Sequence, residues 1–155
     1  MSKPKTRWIV IFIILVALQL LALGYSSSPE TGSTEGLDKS DTAWLLVATA
    51  MVLFMTPGLS FFYGGMVSVK NVISTMLQSF IALGVISLLW YLVGFSLAFG
   101  DSIGGFIGNP ATFFAFHNVG TGVHPALSPT VPLMLFAFFQ LKFAIITPAL
   151  ITGSF

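Results

Sequence analysis

Two phenylalanines, Phe139 and Phe143, stand one helical turn apart in an apolar segment near the end of the chain. Residues spaced i and i+4 project from the same face of a helix, so the two rings would lie one above the other. Rings in this arrangement can close a narrow pore by excluding water, or can hold a cation against their faces. Packing inside a helical bundle accounts for the same spacing, so the spacing alone leaves both roles open.

Two polar side chains lie between or beside these rings. Gln140 brings an amide, and Lys142 brings an amine to the middle of the same apolar segment. A charge at that depth costs about 2.5–3.5 kcal/mol on insertion scales, so it normally faces protein or water and has a partner. The predicted spans contain no acid, which leaves a backbone carbonyl, another helix or another subunit as partner, or an amine that is neutral or reaches the interface. We assign Lys142 no role.

A second segment, Phe54–Asn71, combines Pro57 with the glycine pair Gly64 and Gly65 and with three consecutive aromatic residues at 61–63. A proline inside a helix bends it and frees a carbonyl, which a neighbouring helix or a cavity must satisfy. Glycines allow another backbone to approach closely. Tight helix packing explains isolated glycines, but the whole combination indicates a helix that borders a cavity.

The remaining residues give no sign of an enzyme, a metal centre or a cofactor. His117 and His124 are seven residues apart in a loop rich in glycine and proline, which is not the spacing of metal ligands, and we interpret them as surface residues. The chain has no cysteine, hence no disulfide and no thiolate ligand. The predicted spans hold no Ser/His/Asp arrangement, phosphate loop or carboxylate pair.

The composition determines the class of protein. Of the 155 residues, 55% are hydrophobic and 7% are charged, whereas a soluble domain has about 25% charged residues. The sequence therefore predicts an all-α integral membrane protein in contact with the lipid bilayer. A net charge of +1 gives no basic face for binding nucleic acid.

The chain divides into a leader, a linker and three predicted spans. Residues 1–24 have a basic start and a long apolar run, as expected of a signal peptide or an uncleaved span. Residues 25–41 form a polar linker that we expect to be disordered, and residues 100–130 form a loop with a short interfacial piece at 111–116. Asp41 or Thr42 is the expected cap of the first span. The predicted spans are Thr42–Val69, Val72–Phe99 and Val131–Phe155.

The distribution of charge predicts the orientation in the membrane. If the N-terminus lies inside, Lys3, Lys5, Arg7 and Lys70 all fall on the cytoplasmic side, and every acidic residue falls outside. An excess of lysine and arginine on the cytoplasmic side is the usual pattern. We therefore expect a multi-pass protein of the inner (plasma) membrane, with the loop at 100–130 outside.

Spaced blocks of sequence from about residue 41 to the end resemble those of the ammonium transporter family, the Amt, Mep and Rh group. No single block is specific, but their combination is. The blocks are Asp41–Trp44 (DTAW), Val52–Gly58 (VLFMTPG), Phe62–Gly65 (FYGG), Lys70–Val72 (KNV), Trp90, Gly94–Gly100 (GFSLAFG), Phe139–Ala144 (FQLKFA) and Thr147–Ile151 (TPALI).

The resemblance implies a fold, a function and roles for six residues. Most members have eleven spans, assemble as homotrimers and carry ammonium or ammonia through a hydrophobic pore in each subunit. A cytoplasmic PII signalling protein is an implied partner. By motif position, Phe139 and Phe143 correspond to a stacked pair that gates the pore. Four further residues correspond to positions that line the lumen: Leu59, Phe62, Tyr63 and Leu150.

The departures from the family pattern leave alternatives open. Its paired pore histidines and its outer recruitment site lie in later spans, and His117 and His124 do not correspond to them. The sequence is therefore expected to be the N-terminal third of a transporter. The alternatives are a channel for another small neutral solute, of which Asn109-Pro110-Ala111 is the only trace, or a truncated, non-transporting membrane module for interaction or sensing.

Overall fold

The computed structural model describes residues 4–25 and 33–151, and it is mainly helical. Residues 72–99 form one continuous helical element that contains a π-helical turn at Trp90–Gly94. A short hairpin pairs β1 (Ser102–Ile103) with β2 (Ile107–Gly108) in antiparallel fashion, and a 3-10 turn covers Phe114–Phe116. The α-helices are α1 (Pro4–Tyr25), α2 (Lys39–Met66), α3 (Val72–Leu89), α4 (Phe95–Phe99) and α5 (Leu133–Leu150).

The predicted fold class, an all-α membrane protein, is confirmed. Among the described residues, three helical elements are long and apolar enough to cross a membrane. These elements are Lys39–Met66, Val72–Phe99 and Leu133–Leu150. The second has the predicted bounds, while the third begins directly after Pro132 and is described as far as residue 151.

The first span begins at Lys39 rather than at Thr42, and the predicted cap is wrong. The Asp38 carboxylate accepts hydrogen bonds from the backbone N–H groups of Ser40 at 2.6 Å and Asp41 at 3.0 Å. These are two of the N–H groups that the first turn of a helix leaves without a partner. Asp38 therefore sets the start of α2, three residues before the predicted one.

The linker is ordered where the structure describes it. The N–H of Val123 donates to the Ser33 carbonyl at 3.0 Å, and the N–H of Asp38 donates to the Thr130 carbonyl at 2.8 Å. The disorder expected for residues 25–41 is therefore wrong for residues 33–41. Residues 26–32 lie outside the described part. The leader region forms α1, and its cleavage stays a prediction.

The helices α2 and α3 approach closely through small residues. Thr56, Ser60 and Gly64, spaced four apart on one face of α2, are all buried. The Ser60 hydroxyl donates to the Met76 carbonyl of α3 at 3.1 Å. A side chain at position 64 would meet the Met76 side chain at 3.0 Å. Small residues and interhelical hydrogen bonds of this kind are what hold helices together in a membrane.

The main core lies where α4, the loop and the start of α5 meet. Its buried members are Phe95, Phe113, Val119, Leu133 and Ala137. The loop is fastened there by the Ser96 hydroxyl, which donates to the Asn109 carbonyl at 2.7 Å and accepts from the Phe113 N–H at 2.9 Å.

The loop between α4 and α5 crosses very close to the end of α4. A Cβ at Gly100 or Gly108 would run into the Ser96 carbonyl oxygen, so only glycine fits at either position. The interfacial piece predicted at 111–116 proves to be a turn in which Ala115 and Phe116 have positive φ angles of 51° and 57°. Its Phe116 ring packs on Tyr91, Phe95 and Phe138.

Candidate functional site

Phe139 and Phe143 are in contact on α5. Their ring centroids are 5.2 Å apart, with an angle of 73° between the planes. The edge of one ring therefore meets the face of the other, an arrangement that aromatic quadrupoles favour over a parallel sandwich. Phe143 keeps 43% of its surface exposed, and Phe139 is half-buried.

The two sides of α5 differ in what they contact. Phe139, Phe143 and Leu150 follow the spacing i, i+4 and i+11, which places them within about 40° of one another around the helix axis. A second stripe, on the opposite side, is buried against the rest of the molecule. That buried stripe consists of Ala137, Leu141, Ile145 and Ala149. All three residues that the resemblance assigns to a pore on this helix therefore share its open side.

The remaining three candidates lie together on α2. Leu59, Phe62 and Tyr63 follow the spacing i, i+3 and i+4, and so share one face. Phe62 is 61% exposed, whereas Leu59 and Tyr63 are half-buried. The rings of Phe62 and Tyr63 have centroids 5.6 Å apart. This face lies beside the buried stripe of Thr56, Ser60 and Gly64.

One hydrogen bond joins the two sets of candidates. The Tyr63 hydroxyl donates to the Leu150 carbonyl at 3.2 Å. This carbonyl belongs to the last turn of α5, where the helix itself offers no partner. Tyr63 and Leu150 therefore meet at one end of α5, and the phenyl pair lies on the same side, with Phe139 about 16 Å further along the helix.

Lys142 stands between Phe139 and Phe143 in the sequence of α5. It directly follows Leu141 and precedes Phe143, so its side chain leaves the helix about 100° around the axis from that of Phe143. It is half-buried. Lys142 therefore lies on a different face of α5 from Phe143.

The two histidines belong to the framework of the loop. His124 is half-buried; its Nδ1 accepts from the Leu127 N–H at 3.2 Å, and its ring contacts that of Phe113. His117 is half-buried as well, so both rings keep part of their surface exposed. Within residues 4–25 and 33–151, no cluster of histidine, cysteine or acidic side chains is placed to hold a metal ion.

Sequence reasoning missed the contact made by Trp90. The indole Nε1 donates to the Ala137 carbonyl at 3.2 Å, which joins α3 to α5 two residues before Phe139. A buried indole N–H usually finds a hydrogen-bond partner, so a tryptophan in the middle of an apolar span was a signal that some partner exists. Nothing in the sequence indicated which one.

The comparisons with known proteins agree with the resemblance found in the sequence. The chain is 45% identical over 130 residues to the ammonium transporter of Mycobacterium tuberculosis, a match that covers 76% of this chain and 27% of the relative. It is 47% identical over 137 residues to the ammonium transporter of Aquifex aeolicus, with coverages of 87% and 31%. The chain thus spans less than a third of the length of these relatives.

A solved structure shows the same arrangement of helices. The crystal structure of Saccharomyces cerevisiae Mep2 matches with a TM-score of 0.67 and 35% sequence identity, over 77% of this chain and 26% of that one. The family model described as the Ammonium Transporter Family matches residues 43–155. On this match and these relatives, the chain belongs to the ammonium transporter family.

Proposed function

We propose that this chain forms part of the wall of a pore for ammonium or ammonia, as the N-terminal portion of a longer transporter of the inner (plasma) membrane. The observation that carries the proposal is the open side of α5, where Phe139, Phe143 and Leu150 lie opposite the stripe that packs against the other helices. Relatives at 45% and 47% identity named as ammonium transporters support the choice of substrate.

The phenyl pair is proposed to act at the outer half of the pore. With the loop at 100–130 outside, as the positive charges predict, Phe139 lies nearer the outer surface than Phe143. Moving ammonium into an apolar pore is costly because its hydration must be replaced, and aromatic rings offset part of that cost by attracting the cation. Both rings are on one helix and therefore form one wall of the gate; the facing wall comes from other helices.

Leu59, Phe62, Tyr63 and Leu150 are proposed to line the inner part of the same pore. The bond between Tyr63 and Leu150 keeps the α2 and α5 faces side by side at that end. Passage as ammonia, with the proton moved separately, would exclude potassium, which has no proton to release. The function is transport and not catalysis.

Assembly and regulation complete the proposal. A homotrimer of the full-length protein and contact with a cytoplasmic PII signalling protein rest on the family resemblance alone. Chemical cross-linking of the full-length protein in membranes tests the trimer, and co-purification with the PII protein of the same cell tests the second contact.

The deciding experiment is to read the DNA beyond the codon for Phe155 and express the complete reading frame in cells without ammonium uptake of their own. We expect a frame that continues into further spans, and uptake of ammonium that saturates and is not inhibited by a large excess of potassium. Equal transport of potassium would refute the mechanism. A stop codon directly after Phe155 would favour a membrane interaction module instead.

A further inference from the structure

Trp90 ties α3 to α5 at the depth of the phenyl pair. Its indole Nε1 lies 3.2 Å from the carbonyl oxygen of Ala137, which has no exposed surface. Ala137 precedes Phe139 by two residues and points about 160° away from it around the helix axis. The indole thus contacts α5 on the side opposite Phe139, at about the same depth along the helix.

This bond does not serve to satisfy the α5 backbone. The Ala137 carbonyl is inside the helix, where the α-helical pattern already pairs it with the N–H four residues later. The indole N–H therefore donates an additional hydrogen bond between helices. The hydrogen bonds within α5 are complete without it. Its physical effect is to fix the rotation and depth of α5 relative to α3.

The indole is itself held in place by aromatic neighbours. Its ring centroid lies 5.9 Å from that of Phe95 and 6.3 Å from that of Phe99, both in edge-to-face contact. The Phe99 ring in turn meets the edge of Phe136 at 5.2 Å, and Phe136 adjoins Ala137 on α5. Trp90 thus contacts aromatic rings on its own helical element and the backbone of α5.

The π-helical turn makes room for this side chain. Trp90 is its first residue, and its carbonyl accepts from the N–H of Phe95, five residues on. A Cβ at Gly94 would lie 3.1 Å from Cε3 of the indole and 3.3 Å from the Leu89 carbonyl oxygen. The widened turn and the glycine together let the indole lie against the helix and reach α5. Single π-turns of this kind recur at functional sites.

We propose that Trp90 is a positioning residue for the pore, which holds α5 so that Phe139 and Phe143 face the lumen. The inference rests on the proposed function, because it gives Trp90 a purpose only if those rings meet the substrate. It predicts that weakening the indole bond impairs recognition of ammonium more than it impairs folding.

The test is the concentration dependence of ammonium uptake by the full-length protein with Trp90→Phe, which removes the N–H and keeps an aromatic ring. We expect the KM for ammonium to rise about fivefold, the equivalent of a net hydrogen bond of about 1 kcal/mol, with the maximal rate per transporter in the membrane unchanged. A merely structural role would reduce the amount of transporter in the membrane, and with it the total maximal rate of uptake, but would leave KM unchanged. Trp44→Phe is the control, since Trp44 on α2 is 76% exposed.

A second pair of variants displaces the indole without removing it. Gly94→Ala places a methyl group against Trp90, whereas Gly84→Ala adds the same methyl group to α3 where nothing lies within 4 Å. Alanine favours a helix more than glycine does, so neither change weakens the helix by propensity. We expect Gly94→Ala to raise KM in the same direction as Trp90→Phe, and Gly84→Ala to leave it unchanged.

The outcomes separate this inference from the function on which it rests. The positioning role is overturned if ammonium uptake is normal and KM is unchanged both in Gly94→Ala and in the Trp90→Phe protein that reaches the membrane. The proposed function is not affected by that result. If the unsubstituted full-length protein takes up no ammonium, the proposed function fails, and the role of Trp90 in it fails as well.

Discussion

At the scale of single residues, the candidate site is held by few polar contacts. The Tyr63 hydroxyl joins the α2 and α5 groups of candidate residues by donating to the Leu150 carbonyl in the last turn of α5. Phe139 and Phe143 are in direct ring contact. Each can therefore be altered by removing one functional group, with little other change.

Tyr63→Phe removes only the hydroxyl and leaves the Leu150 carbonyl without this donor. We expect a loss of stability of about 0.5–1.5 kcal/mol, because that is the usual net contribution of a hydrogen bond. Thermal unfolding of the full-length protein in detergent measures it. Tyr91→Phe is the matched control, since Tyr91 contacts Phe116 through its ring, and phenylalanine keeps that ring. Equal melting temperatures for both variants and the unsubstituted protein would contradict the role of this bond.

Phe143→Leu keeps an apolar side chain and removes the aromatic face. If the ring attracts ammonium, the loss of a contact worth about 0.5–1 kcal/mol should raise the KM for ammonium roughly two- to fivefold. Uptake at several ammonium concentrations measures the change. Phe80→Leu on the exposed side of α3 serves as control. A KM that changes equally in both variants, or in neither, would argue against the cation contact.

At the scale of elements, the start of α2 depends on one carboxylate. The backbone N–H groups of Asp41 and Ser40, which donate to Asp38, hold the pKa of its carboxyl below the ordinary value. Since the pKa is lower in the folded protein, the stabilisation is complete above the ordinary pKa and is lost as the pH falls through the folded one.

Asp38→Asn tests this cap, because the amide oxygen still accepts a hydrogen bond but carries no charge. We expect the unsubstituted protein to melt at a higher temperature than the variant at neutral pH. The difference should begin to shrink as the pH falls below about 4 and vanish only below the lowered pKa of Asp38 in the folded protein. Glu35→Gln, at an exposed acid in the same linker, is the control. A difference that is constant with pH would show that the charge of Asp38 is not involved.

The contact between α2 and α3 gives a second prediction at this scale. Gly64→Ala brings a methyl group to 3.0 Å from the Met76 Cγ, while at Gly65 the same change meets nothing within 4 Å. Overpacking typically costs about 1–3 kcal/mol, and the flexible Met76 side chain places this case at the lower end. We expect Gly64→Ala to lower the melting temperature and Gly65→Ala to leave it unchanged or raise it. The reverse order would show that the helices can separate freely.

Elements were predictable from the sequence where local pattern alone determines them. Residues 72–99 are predominantly apolar and contain no charged residue, and the span has the predicted bounds. The start of α2 and the order of residues 33–38 were not predictable, because they depend on the Asp38 cap and on hydrogen bonds to Thr130 and Val123, far along the chain. The same holds for the site: the spacing of Phe139 and Phe143 predicted their contact, but nothing local announced the partners of Tyr63 and Trp90.

At the scale of the whole molecule, the described residues form a partial bundle. The helices α2, α3 and α5 pack on one another, yet large apolar side chains such as Trp44, Phe54 and Phe62 remain exposed. In a membrane, lipid covers one side of such a helix and neighbouring helices cover the other. The open side of α5, which carries the phenyl pair, can therefore form only one wall of a pore. The facing wall must come from other helices.

Expression of residues 1–155 alone should therefore insert into the membrane without giving ammonium uptake. Uptake should return when the rest of the reading frame is supplied as a separate polypeptide in the same cells, because helices can associate after insertion. Ammonium uptake with each part alone and with both together measures this. Uptake by residues 1–155 alone would show that the phenyl pair needs no facing wall from elsewhere.

The π-helical turn at Trp90–Gly94 has a consequence for comparing this chain with others. A π-turn holds one residue more than an α-helical turn, so the faces of the helix before and after it are out of phase by about 100°. A homologue that is α-helical throughout will align with this chain only if a one-residue gap falls within residues 90–94. An ungapped alignment would assign Phe95 and Ser96 to the wrong side of the helix. The positions that follow the π-turn should therefore be matched to those of a homologue in a register that starts at Phe95.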